Sequence, residues 1–132
     1  MPQAPKTTAR SKGAILFSPE LVRAARLLFF AALASVLYFA WMPAPPDLIG
    51  NDKSQHMLAF TVLTILFRTG FPRLGWRWPL IWMGVLGALI EFVQAIPALN
   101  RDCDIQDWFA DMGAVAIGLL AVGLVGRLLG RR

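Results

Sequence analysis

Apolar positions gather into four runs, at residues 27–42, 57–67, 78–96 and 108–126, and most of the charges lie between them. Crossing the hydrocarbon of a bilayer takes about 20 helical residues. The second run is short by itself, but it reaches that length if its helix starts near Asp52 and continues to about Thr69. The pattern predicts an all-α, integral membrane four-helix bundle with spans at about 19–42, 52–69, 77–96 and 107–127. Residues 18–132 form the domain, and residues 1–17, polar and basic, are expected to be a disordered tail.

Local signals place the helix ends. Ser18 followed by Pro19 reads as an N-cap with proline at the first helical position. Asp52 with Gln55 makes a partial capping box. Asp104, with Asp107 after it, is placed to cap the fourth helix and complement its dipole. The stretches APAPPDLIG and IPALNRD break helices with proline, glycine and asparagine. Small residues, namely Gly84, Gly87 and Ala88 in the third helix and Gly113, Ala114, Ala116, Gly118 and Gly123 in the fourth, are expected to allow close helix approach.

Composition supports this reading: 57% of residues are hydrophobic, too many for an ordinary soluble domain. The single cysteine, Cys103, rules out an intramolecular disulfide. A net charge of +5 raises the possibility of nucleic acid, but the basic residues are split among three stretches and serve instead as topology signals. Lys6, Arg10, Lys12, Arg23 and Arg26 precede the first apolar run, Arg68, Arg73 and Arg77 lie between the second and third, and Arg127, Arg131 and Arg132 follow the fourth. Basic loops stay cytoplasmic in bacterial-type membranes. Both termini are therefore expected in the cytoplasm of a multi-pass bacterial inner-membrane protein. The loops with Asp47, Asp52 and Lys53 and with Arg101, Asp102, Asp104 and Asp107 fall on the periplasmic side. Trp41 and Trp108 belong at that interface, and Trp76 and Trp78 at the inner one. A cleaved signal peptide competes for the first segment, but its basic lead is long and MPA is a poor cleavage site.

In this threading three helices bring polar groups to one depth. Asp52, Lys53 and His56, the only histidine, share a face of the second helix. Glu91 and Gln94 lie near the outer end of the third, and Asp104, Asp107 and Asp111 form a stripe on the fourth, with Arg101 just before it. Charge in hydrocarbon is costly, so such groups face the bundle interior and pair, and they are functional candidates by default.

Several chemistries fit. Lys53 and Arg101 suit an anionic group, with His56 and Glu91 as a proton-transfer pair and Asp107 and Asp111 orienting the cations. Histidine with carboxylates can hold a divalent ion, but no tight ligand motif is present, and the metal and any cofactor stay open. A proton-coupled carrier needs a polar path inward, for which only Thr61 and Thr64 are available. The same residues can also form an internal ion-pair lock in a partner-binding scaffold. Membrane lipids are the expected surroundings, nucleic acid is not an expected partner, and the oligomeric state is open.

The segments DKSQH, IEFVQ and RDCDIQDWFAD, followed by a glycine-containing helix, together resemble the VanZ-like family of small bacterial membrane proteins. The resemblance covers about residues 51–118 and places Asp52, Lys53, His56, Glu91, Gln94, Arg101 and Asp107 at the family's characteristic polar positions. The family often has asparagine where this chain has Asp111, and glycine where it has Ala114. The resemblance implies a cell-envelope setting and an effect on glycopeptide sensitivity, without a settled reaction.

Overall fold

A computed structural model describes residues 18–43, 45–46, 50–99, 101 and 103–130. The expected disordered tail at 1–17 lies outside the described residues, as do Asp47, Asp102, Arg131 and Arg132 of the charge pattern. Among the described residues the chain is all-α with no strand: α1 at Pro19–Ala40, α2 at Asp52–Gly70, α3 at Arg77–Gln94, a short 3-10 turn at Pro97–Leu99, and α4 at Ile105–Gly130.

Capping explains most of these boundaries. The Ser18 hydroxyl accepts from the Leu21 N–H at 3.2 Å, with Pro19 at the first helical position. The start of α2 differs from the expectation. Asn51, not Asp52, is the cap, and its side chain accepts from the Ser54 N–H at 2.7 Å. Gly50, at φ 96°, turns the chain into this cap where a side chain would be strained. The Asp52 carboxylate is thereby released from capping. Helix α4 begins at Ile105, and the Asp104 carboxylate accepts from the Gln106 N–H at 2.8 Å.

Two helices, α1 and α4, are long and apolar enough to cross a membrane. The other two are shorter, at 19 and 18 residues, and they carry charge near their ends, Asp52, Lys53 and Arg68 in α2 and Arg77 and Glu91 in α3. At 1.5 Å per residue 18 residues still extend roughly 27 Å, close to a hydrocarbon thickness. The outward surface is rich in large apolar side chains, Leu28, Phe30, Leu120 and Leu128 among them, more than a soluble monomer ordinarily presents.

Helix α2 is the central element, packed chiefly on α4 and α1, while α3 leans on α4. Phe29, Phe60, Leu63, Phe67, Met83, Ile90 and Val115 make the core between them. Successive helices run in opposite directions. At one end the Arg26 Nε donates to the Gly70 carbonyl at 2.7 Å, joining the start of α1 to the close of α2. At the other, the buried Gln94 amide lies 3.4 Å from the Ala40 carbonyl, joining the ends of α3 and α1.

Glycine sets how closely two of these pairs approach. A Cβ on Gly87 would lie 3.1 Å from the Trp108 ring, and one on Gly118 would meet Thr64 at 3.0 Å. Gly113 and Gly123 have nothing within 4 Å of such a Cβ, and Ala88 and Ala116 are exposed, so only part of the small-residue set serves close packing. Trp41, Trp76 and Trp78 are exposed as an interfacial belt requires, but Trp108 is not free. Its indole N–H donates to the Gly84 carbonyl at 2.9 Å and ties α4 to α3. Trp108→Phe is expected to cost about 1 kcal/mol, the net worth of one such bond, read from thermal unfolding in detergent. No change in midpoint would show that the bond contributes nothing.

Candidate functional site

The site is assembled at the end of the bundle where α2 and α4 start and α1 and α3 finish. Asp52, one residue past the Asn51 cap, accepts from Arg101 Nη2 at 2.7 Å through Oδ2. One turn later on the same face, His56 sets its Nε2 3.9 Å from that oxygen. Lys53 points across to α4, its Nζ 3.1 Å from Asp107 Oδ1. Spacing along α2 explains the arrangement, since positions three and four apart share a face.

Behind His56 lies Asp111, on α4 and 1% exposed. Its Oδ2 is 3.7 Å from His56 Nδ1, too far for a hydrogen bond, and neither carboxylate oxygen has a hydrogen-bond partner. Glu91, near the end of α3 and 7% exposed, accepts from the Asp104 N–H at 3.0 Å through Oε2, while Oε1 is unpartnered. Glu91 thus connects the close of α3 to the residue preceding α4. The exposed Cys103 thiol has its pKa pushed up, first by desolvation and then by the Glu91 carboxylate.

Asp52, Lys53, His56, Glu91, Gln94, Arg101, Asp104, Asp107 and Asp111 all sit at this end, but some of their partners differ from expectation. His56 makes its close contacts with Asp52 and Asp111, and no ion pair joins it to Glu91. Gln94 serves packing through the Ala40 carbonyl. Asp104, by contrast, turns its side chain to the start of its own helix, as expected of a cap. Among the described residues no group of three or more His, Cys, Asp or Glu side chains is arranged to hold a metal ion. The polar groups also do not continue inward: Thr61 and Thr64 donate to the carbonyls of Met57 and Phe60 in their own helix, at 2.8 and 2.7 Å.

Sequence reasoning missed one feature, a cavity of about 390 Å³ between α1 and α2. Asp52, Gln55, His56 and Arg101 line it at the site end, and Ala32, Val36, Phe39, Leu58, Ala59 and Val62 line it further in. No hydropathy signal marks it, because these apolar residues are the same types that would fill a helix seam. Comparison with protein-family models, with curated proteins and with solved structures finds no match.

Chemically, the site has two cations, each already facing a carboxylate, and a histidine with a buried acid behind it. A guanidinium has five N–H donors, and among the described residues Arg101 spends one of them, on Asp52. An oxygen-rich group entering the cavity would meet this guanidinium and His56.

Proposed function

We propose that this protein is a four-span inner-membrane protein, with both termini cytoplasmic, that binds an anionic cell-envelope ligand in a periplasm-facing pocket. The observation that carries the reading is Arg101: its side chain, 10% exposed, lies on the cavity wall beside His56, and among the described residues its one hydrogen bond is to Asp52. Asp52 positions the guanidinium, and Asp111 backs the imidazole. The apolar outer surface and the net basic stretches at the opposite end support the threading. The likeness of DKSQH, IEFVQ and the following acidic segment to VanZ-like proteins supports the envelope setting. If a reaction follows binding, His56 is the group in position to move a proton, with Asp111 nearer to it than Glu91.

A second reading has its own observation: both cations already face acids, as an internal lock requires. Each pair joins one exposed partner, Asp52 at 50% or Lys53 at 44%, to one largely buried, Arg101 at 10% or Asp107 at 16%. Solvent screens the exposed half of each pair, so only a measurement of stability separates a lock from a binding site.

Arg101→Gln separates the two readings. Binding of phosphatidylglycerol and of glycerol 3-phosphate to the detergent-solubilised protein is expected to weaken about tenfold, the loss of one hydrogen bond to a charged group, with the unfolding midpoint little changed. A midpoint that drops sharply, with no binding by the parent protein, establishes the lock.

A further inference from the structure

We infer that the ligand is a phosphate-bearing lipid, one of whose acyl chains lies in the crevice between α1 and α2. This rests on the proposed function and names the class of molecule that the same site takes. The crevice runs from Asp52 to Val62, about 15 Å along α2 at 1.5 Å per residue, and is polar only at its Arg101 end. Beyond His56 the walls are Leu58, Ala59 and Val62 of α2 and Ala32 and Val36 of α1.

The one hydroxyl on the α1 wall spends its proton within its own helix, Ser35 Oγ donating to the Ala31 carbonyl at 2.9 Å. A wholly polar ligand would leave this length of apolar wall without a partner, whereas a hydrocarbon chain covers it. Leu58, Val62 and Phe39 are exposed along the crevice, so a chain can enter sideways between the helices.

Charge complementarity fixes the orientation. A phosphate beside Arg101 and His56 places the glycerol at the level of Gln55 and the acyl chain against Ala59 and Val62. Arg101 alone would hold any small phosphate. The crevice is what distinguishes a lipid from a free headgroup.

The test titrates the full chain in detergent with phosphatidylglycerol and, separately, with soluble glycerol 3-phosphate, each against the parent, Ala59→Trp and Val62→Trp. Either tryptophan fills the crevice without touching the charged end, and two positions are used in case one variant does not fold. The lipid is expected to bind the parent at least tenfold more tightly than glycerol 3-phosphate, and a folded tryptophan variant to lose that margin while its response to glycerol 3-phosphate is unchanged. Equal binding of the two probes, or a lipid affinity indifferent to both tryptophans, overturns the acyl-chain assignment and leaves the anionic pocket standing. Failure of both probes to bind the parent overturns the pocket as well.

Discussion

Gly118→Val is expected to destabilise the bundle by about 1–3 kcal/mol, the usual cost of forcing extra atoms into a packed interior. The new Cβ would lie 3.0 Å from Thr64 Cβ, 3.1 Å from its Cγ2 and 3.2 Å from the Thr61 carbonyl oxygen. The last of these is backbone of a neighbouring helix and cannot rotate aside, and Thr64 is itself buried with its hydroxyl held by Phe60. Helices α2 and α4 must then separate, and they carry the largest interface in the molecule. The site suffers with the fold, since Lys53 to Asp107 and His56 to Asp111 both bridge these two helices. Gly123→Val is the control, because nothing lies within 4 Å of its Cβ. Thermal unfolding of the purified proteins reads the difference; equal midpoints for the two variants would mean that close approach at Gly118 is not what joins α2 to α4.

The two buried acids are expected to respond to leucine with opposite signs. Glu91→Leu removes the acceptor of the Asp104 N–H, and a buried donor left unpaired costs about 1–3 kcal/mol. Dipole effects do not rescue it: the carboxylate is unfavourable at the end of α3 but favourable at the start of α4, and the two oppose each other. Asp111→Leu removes a carboxylate with no hydrogen bond to lose. Its one ionic neighbour, His56 at 3.7 Å, can shed its proton and so need not be left as a buried unpaired charge, and loss of the carboxylate's desolvation cost makes the change neutral or stabilising. Higher stability with weaker binding is the pattern of a group kept for function at the expense of the fold. An Asp111→Leu protein that melts as low as Glu91→Leu would assign Asp111 a structural role instead.

Much of this architecture was legible because it follows from local rules. The Ser18–Pro19 start needs only a hydroxyl within reach of a free N–H and a ring with a suitable φ. The convergence of Asp52, His56, Glu91 and Asp111 at one end follows from helix rise and alternating direction. Neighbour relations were harder to read. Asp52 and Asn51 are both good caps on sequence grounds, and only the turn at Gly50 put Asn51 in the capping place. His56 was paired with Glu91 by depth, yet depth says nothing of rotation about a helix axis, and rotation brings Asp111 to it. Trp108 reads as an interface anchor in the sequence, and only packing shows that its indole also holds α4 to α3 through the Gly84 carbonyl.

By itself, then, the order of residues determined that this chain is helical, that it has hydrocarbon-length apolar stretches, and that Asp52, Glu91, Asp104, Asp107, Asp111 and the one histidine gather at the end away from most of its arginines. Those are properties of periodicity and charge along a line. Tertiary structure alone decided which acid faces the imidazole, which glycines are in contact, and that a crevice opens between α1 and α2 beneath Arg101. Such features depend on the separation and rotation of packed helices, which are set by contacts between residues far apart in the chain.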